Sequence, residues 1–262
     1  MTNVQDVIDH LTDSVGPIEN TVDILKFGDP NTRITGIATT FMATHQAIQQ
    51  AVEVGANLLI THEGAFYSHH DSDLLTHDPV FEGKLKAIEQ AGLAIYRFHD
   101  HIHRYQPDGI TAALVKALRW QPYIEKQLLI STLLKLPKRP LKVLSDYVKT
   151  TLKLPFVRVQ GDLSMPCSRV GLLVGYRGGG QTALPLFEKE NLDLIITGEG
   201  PEWETPEYVR DAIDQGKHKA LMVLGHSESE SPGMKALAEG LKIKFPNIPI
   251  HFISNQPLFQ VI

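Results

Sequence analysis

The sequence predicts an α/β protein with two related lobes, in which mixed sheets are flanked by helices. Short aliphatic runs alternate with segments of helical apolar spacing along most of the 262 residues. Similar runs recur about half a chain apart, and histidines follow several of the predicted strands. Such alternation is typical of folds with a largely parallel or mixed sheet.

The first half shows three strands that alternate with three helices. Thr44 is a suitable N-cap for the first of these helices, and Gly92 ends the second, which begins near Asp78. In chain order the segments are GIATTF from Gly36, the helix THQAIQQAVEVG, the strand ANLLITHEG, the helix DPVFEGKLKAIEQAG, the strand LAIYRFHD and the helix ITAALVKALRW.

The second half follows a proline-rich connection that begins near Gln121. A helix over 141–152 and a strand-like FVRVQ lie before Asp162, and alternation resumes after Pro166. The later segments are the strand RVGLLVG, the helix TALPLFEKEN, the strand LDLIITGEG, the helix TPEYVRDAIDQG, the strand KALMVLGH, the helix SPGMKALAEGLKIKF and the strand PIHFIS. We expect two lobes, residues 1–125 and 126–262.

The two halves also resemble each other in sequence. GANLLITHEG at 55–64 is echoed by NLDLIITGEG at 191–200, an offset of 136, and GIATTF at 36 is echoed by GLLVGY at 171, an offset of 135. Buried strands of any origin share such patterns, but the close offsets favour a duplicated lobe.

Composition excludes several classes of protein. The chain is 42% hydrophobic and 21% charged with a net charge of −5, so we expect a globular fold that does not bind nucleic acid. Cys167 is the single cysteine, which excludes an intrachain disulfide and argues against a cysteine-based zinc site. Neither a signal peptide nor an apolar run of membrane-spanning length is evident, so we expect a cytoplasmic protein without membrane segments.

Histidine is the residue type that stands out, with seven of 12 lying between His62 and His103. His62, His99 and His226 each follow a predicted strand, which is where α/β proteins place their sites. Each has a further potential ligand close by: Glu63, His103 and Glu230 respectively.

A single histidine is more often a surface or core residue, but the set of three favours a metal site. Four imidazoles and two carboxylates suffice for two divalent ions, and without thiolates they suit zinc, iron, manganese, cobalt or nickel. Asp100 is a further source of negative charge.

Other features are weaker. His69 and His70 fit an exposed polar loop better than the rim of the site, and His101 would face away from His99 in extended backbone. The glycines at 178–180 form a turn between a strand and a helix that could present backbone amides to an anion, but no Walker motif follows. Trp203 suits a pocket or an interface.

These motifs resemble those of the NIF-three-like dinuclear-metal proteins, often called GTP cyclohydrolase I type 2 homologues. The resemblance spans nearly the whole chain and rests on GANLLITH up to His62, the strand entering His99, RVGLLVG, and IITGE up to Glu199. Its most specific part is GHSESE, in which His226 and Glu230 form a His-x-x-x-Glu motif.

The chain departs from the family pattern at two positions. Glu63 stands where members have the second histidine of a His-His pair, and His103 stands where they have an aspartate. The two changes are reciprocal, so the ligand inventory and its charge are unchanged. The resemblance therefore implies an intact but rearranged site made of His62, Glu63, His99, His103, His226 and Glu230.

The resemblance also implies a hexameric ring whose sites face an inner cavity and hold two divalent ions, zinc, iron or manganese. The activity it implies is metal-dependent hydrolysis of a small, nucleotide-like molecule. Two metal ions would lower the pKa of a bridging water and polarise the group under attack. Alternatively, Glu63 or Glu230 would act as the general base. The alternative is a non-catalytic ring protein that binds metal or regulates a partner. A nucleotide-binding fold without metal would depend on the glycine turn and leave the histidines unexplained.

Overall fold

The structure of the chain, a computed structural model, describes residues 1–69 and 78–262. These residues form two compact units, Met1–Gly109 with Gly233–Gln256 and Ile110–Pro232 with Pro257–Ile262. The lobes expected from the sequence, 1–125 and 126–262, stay a prediction.

Helices and strands alternate along both units, as the periodicity predicts. In chain order the described elements are α1 (Val4–Thr12), β1 (Ile24–Phe27), β2 (Ile37–Thr40), α2 (His45–Glu53), β3 (Leu58–Thr61), α3 (Pro79–Ala91), β4 (Ala94–Arg97), α4 (Asp100–Arg104), α5 (Gly109–Ala117), β5 (Ile124–Gln127), β6 (Thr132–Pro140), α6 (Leu141–Leu152), β7 (Arg158–Gln160), β8 (Pro166–Leu173), α7 (Gly180–Lys189), β9 (Leu194–Thr197), α8 (Thr205–Asp214), β10 (Ala220–Val223), α9 (His226–Lys244) and β11 (Ile250–Phe252).

The sheet of the first unit is mainly parallel. Its described strands pair in the order β1, β4, β3, β2, β11, and only the β1–β4 pair among them is antiparallel. Thr61 lies opposite both Thr40 and Arg97 in the register. The chain therefore leaves β3 and β4 at the same edge of the sheet, where residues after either strand can meet.

The sheet of the second unit is mixed. Its described strands pair in the order β5, β6, β8, β9, β10, β7, with β8, β9 and β10 parallel and the outer pairs antiparallel. The parallel series β8–β9–β10 repeats the series β2–β3–β4 of the first unit, in the same order along the chain. Mixed sheets with helices confirm the α/β class.

The local signals read from the sequence explain where the helices begin and end. The side chain of Thr44 accepts a hydrogen bond from the amide of Ala47 at 3.0 Å, which caps α2 as predicted. Asp78 caps α3 through the amide of Val80, and Gly92 ends that helix with φ of 57°.

Each unit has its own apolar core. In the first, Ile48 and Ile88 on helices pack against Leu59 and Ile95 on β3 and β4. In the second, an equivalent cluster contains Leu173, Phe187, Ile195, Val209 and Leu221. Alternate residues of buried strands supply these clusters, so the aliphatic runs in the sequence hold the strand ends in place.

The structure corrects three expectations about secondary structure. The proline-rich connection contains β6, a nine-residue strand that pairs with both β5 and β8 and shifts register between Lys135 and Arg139. Residues 100–104 are helical rather than extended. Helix α9 begins at His226, five residues before the predicted segment. Among the residues described, no helix is both long enough and apolar enough to cross a membrane.

Candidate metal centre

Three imidazole rings lie together beyond the carboxyl ends of β3 and β4. His62 directly follows β3, His99 lies two residues after β4, and His103 is one turn further along the chain on α4. The ring centroid of His62 is 4.6 Å from that of His99 and 5.0 Å from that of His103, and the other two centroids are 5.0 Å apart. One ring nitrogen from each lies within 4.8 Å of the others.

The hydrogen bonds of these rings all favour the same tautomer. In each ring Nδ1 faces a hydrogen-bond acceptor, which is either a backbone carbonyl or a carboxylate. In the neutral ring Nδ1 therefore carries the hydrogen, and Nε2 keeps its lone pair. The pairs are His62 Nδ1 with the Phe98 carbonyl at 3.2 Å, His99 Nδ1 with Asp100 Oδ1 at 2.9 Å, and His103 Nδ1 with Asp108 Oδ2 at 3.0 Å. Such a donor set fits a divalent transition-metal ion, because metal-binding histidines are usually oriented in this way.

Asp23 fixes the start of α4. Its Oδ1 accepts hydrogen bonds from the amides of His99 and Asp100, each at 2.7 Å, and its Oδ2 accepts from the amide of His101 at 3.0 Å. The ring of His101 is buried, with Nδ1 2.7 Å from Asp23 Oδ2 and Nε2 3.1 Å from the Gly16 carbonyl. His101 therefore supports the helix that follows His99 and carries His103. The extended backbone expected here was wrong, whereas the expectation that His101 faces away from His99 and is not a ligand agrees with these contacts.

Asp100 supports His99 and is itself anchored. Its Oδ2 accepts from the Thr21 hydroxyl at 2.9 Å and from the Val22 amide at 3.1 Å, while Oδ1 accepts from His99. These hydrogen bonds hold the pKa of the Asp100 carboxyl well below its usual range, and the bond from His99 has the largest effect. Burial acts in the opposite direction. The negative charge expected at Asp100 thus orients an imidazole.

Glu63 shares its carboxylate with an arginine that the sequence analysis did not single out. Arg97, the last residue of β4, donates from Nη2 to Glu63 Oε2 at 2.8 Å. The other oxygen, Oε1, lies 3.7 Å from His99 Nε2. Their side chains are only 8% and 16% exposed for Arg97 and Glu63, so this ion pair is largely removed from water.

His69 also lies beside these groups, so the preference for an exposed loop away from the site was wrong for this residue. Its ring centroid is 5.2 Å from that of His99, and its Nδ1 is 3.8 Å from Glu63 Oε2. Arg97 donates from Nη1 to the His69 carbonyl at 2.6 Å and from Nη2 to His69 Nδ1 at 3.0 Å. Ligand atoms of Glu63, His69 and His99 lie within 4.8 Å of one another. His70 lies outside the described residues.

The second unit places the remaining predicted residues at the end of β10. His226 opens α9, and its Nε2 lies 3.1 Å from Glu230 Oε2 one turn further on. Its Nδ1 is 2.8 Å from Glu199 Oε1, so a carboxylate orients this imidazole too. The hydrogen bond from His226 is the main cause that lowers the pKa of Glu199.

The position that echoes His62 in the second unit is Gly198, and close packing explains the glycine. A Cβ there would lie 2.5 Å from Ser229 Oγ and 2.6 Å from the Gly175 carbonyl. Gly175 in turn has φ of 59°, and a Cβ on it would collide with Glu230. The duplicated strand end therefore has no room for an imidazole, and the two units contribute different side chains.

The glycine turn at 178–180 is capped by the protein itself. Glu204 Oε2 accepts a hydrogen bond from the amide of Gly180 at 2.5 Å, at the N-terminus of α7. A carboxylate thus already stands where an anion would bind, which weighs against the nucleotide-binding alternative. The side chain of Trp203, which directly precedes Glu204 in the sequence, is 76% exposed. Burial raises the pKa of the Cys167 thiol to about 12.

Comparison with known proteins identifies the family. The family model described as Duf34/NIF3 (NGG1p interacting factor 3) matches residues 3–257. The chain belongs to this family. A GTP cyclohydrolase 1 type 2 homolog of Deinococcus radiodurans is 30% identical over 228 residues, covering 85% of this chain and 81% of the relative. Its Escherichia coli counterpart is 26% identical over 215 residues, covering 78% of each. The resemblance inferred from the motifs is confirmed.

Solved structures show that the fold is shared as well. A Bacillus cereus protein related to NIF3 superposes with a TM-score of 0.80 at 14% identity, covering 99% of both chains. A Thermus thermophilus protein superposes with a TM-score of 0.73 at 20% identity, covering 98% of both. At these identities the likeness establishes the NIF3-like α/β fold, while the His and Glu groups that could hold metal are properties of this chain.

Proposed function

We propose that this NIF3-family protein binds two divalent transition-metal ions and uses them to hydrolyse a small, nucleotide-like molecule. The observation that carries the proposal is the common orientation of His62, His99 and His103, each with Nδ1 against an acceptor. In this orientation the Nε2 lone pair of each ring is the one suited to bind a metal ion. Packing in a core alone would not require the same orientation in all three rings. The names of the curated relatives support the nucleotide-like substrate.

The first ion takes His62, His99 and His103 as its ligands. The second takes Glu63, His226 and Glu230, an assignment that rests on the family motifs and on the swap of Glu63 and His103. Zinc, iron and manganese all suit this mixture of imidazole and carboxylate.

When bound, two divalent ions acidify coordinated water and polarise a carbonyl or phosphoryl oxygen. The residues of the chain orient the ligands and move the proton. Glu230 is 2% exposed and is the better candidate base, because Arg97 already holds Oε2 of the other candidate, Glu63.

We further propose that six copies form a ring in the cytoplasm, as the family resemblance implies. Light scattering that gives six times the chain mass supports the ring, and a monomer at micromolar concentration contradicts it. The second candidate function is a non-catalytic metal-binding protein that regulates a partner, and it is favoured by the family description as an interacting factor.

Metal content and turnover test the proposal together. Purified protein reconstituted with zinc, manganese or iron should carry close to two ions per chain by elemental analysis, and His62→Gln should lose the first. His45, an exposed residue of α2, gives the control variant His45→Gln, which should match the wild type. Turnover of a nucleotide panel that a chelator abolishes supports the hydrolase. Two bound ions without any turnover favour the partner-regulating alternative, and less than one ion contradicts both.

A further inference from the structure

Arg97 places a positive charge between two potential metal ligands. Its Nη2 is 2.8 Å from Glu63 Oε2 and 3.0 Å from His69 Nδ1. A guanidinium can only donate, so His69 Nδ1 accepts and, in the neutral ring, Nε2 carries the hydrogen. His69 therefore has the opposite tautomer from His62, His99 and His103, and its lone pair points at a cation.

The spacing of these two acceptors suits a metal ion as well as it suits the guanidinium. Glu63 Oε2 and His69 Nδ1 are 3.8 Å apart. Ligand atoms bonded to one tetrahedral ion at about 2.1 Å are about 3.4 Å apart, so a shift of a few tenths of an ångström joins both to one ion. The same carboxylate lies 3.7 Å from His99 Nε2 through its other oxygen, Oε1.

We propose that His69 is a further ligand, through Nδ1, to the ion that Glu63 binds, and that the guanidinium of Arg97 competes with that ion for the same two acceptors. The inference rests on the proposed function, because it adds a ligand to the second ion. It also assigns a chemical role to a histidine that the family motifs do not include.

Competition with Arg97 follows from charge. Glu63 is largely buried, and an isolated carboxylate there is costly unless a cation accompanies it. Either the guanidinium or a divalent ion satisfies that requirement, and both cannot occupy the 3.8 Å gap between Glu63 and His69. Binding of the ion therefore requires Arg97 to give up Nη2 contacts, while its Nη1 can keep the His69 carbonyl.

The two residues should consequently shift metal affinity in opposite directions. His69→Gln removes a ligand and should weaken the second step of Co²⁺ binding about 10-fold or more, with the first step unchanged. Arg97→Gln removes the competing charge and should strengthen the second step by a similar factor. His69 is 49% exposed, so its replacement leaves the core intact, and the exposed His45→Gln is the matched control.

The experiment is a Co²⁺ titration of metal-free protein, followed by visible absorption and by the number of imidazole scatterers per ion in X-ray absorption. Circular dichroism checks folding, and Arg97→Lys serves if Arg97→Gln does not fold, since a lysine offers a single, more mobile charge. With Arg97→Lys, a second step tighter than that of the wild type supports competition.

The outcomes separate this inference from the proposed function. If the wild type binds two ions and His69→Gln titrates like His45→Gln, His69 is not a ligand and the inference fails alone. If either Arg97 variant weakens the second step, Arg97 positions Glu63 rather than competing, and that half of the inference fails. A wild type that binds fewer than two ions overturns the dinuclear proposal itself.

Discussion

The ion pair of Glu63 and Arg97 should matter for stability far more than an equally short ion pair on the surface. Glu63→Gln leaves a guanidinium that is 8% exposed without its counter-charge. Breaking such a buried pair costs about 3 kcal/mol, at the lower end of the usual range because the glutamine oxygen still accepts a hydrogen bond. In a chain of this size we expect the apparent Tm to fall by about 6–12 °C.

A surface pair of the same length provides the control. Arg158 Nη1 and Glu202 Oε1 are also 2.8 Å apart, but their side chains are 56% and 79% exposed. Water and salt screen that pair, so we expect it to contribute about 0.5 kcal/mol or less. Glu202→Gln should then lower the Tm by about 2 °C at most.

Thermal unfolding in excess chelator measures both variants with metal excluded. We expect the Tm of Glu63→Gln to fall at least three times as far as that of Glu202→Gln. Equal shifts would mean that hydrogen-bond length rather than burial determines the cost, and the structural argument for Arg97 as a charge partner would be refuted.

Three further predictions concern the site and its support. The double reversion Glu63→His with His103→Asp should recover metal affinity better than Glu63→His alone, and strictly additive effects in metal titrations would show that the two positions do not share a site. Asp108→Asn should weaken binding of the first ion about 10–100-fold, because it loosens the orientation of His103, whereas Asp146→Asn, which alters a surface pair, should not. Burial lowers the pKa of Lys84 to about 8 from 10.5, so between these pH values the unfolded chain binds more protons than the folded chain. The Tm of the wild type, compared with that of Lys84→Met, should therefore rise as the pH rises from about 8 to 10.5.

The strand ends were predictable from the sequence because their signals are local. Four aliphatic residues followed by a polar turn identify β3, and adjacent parallel strands bring His62 and His99 to one edge whatever lies between them. Helix α3 was predictable for the same reason, since its cap and its terminal glycine are adjacent to it in sequence.

The supporting residues were not predictable because their partners are distant. Nothing near Arg97 in the sequence indicates that a loop about 30 residues earlier will bring Glu63 and His69 to its guanidinium. Helix α4 has five residues, too few to show an apolar period, and its stability comes from Asp23. The strand β6 was missed because prolines normally argue against pairing. Here Pro137 lies where the register is irregular, and Pro140 is the last residue of the strand.

The hydrogen bonds from α4 to Asp23 have a consequence for the order of folding. They join positions 76 to 78 residues apart, so the contacts that hold α4 can form only after a large loop has closed, which is slow compared with local helix formation. We therefore expect His99 and His103 to reach their final spacing late, once β1 has paired with β4. A chain shortened past Asp23 would keep all seven proposed ligands in its sequence and yet should bind metal weakly, because it would lack the carboxylate that holds His99 and His103 at their spacing.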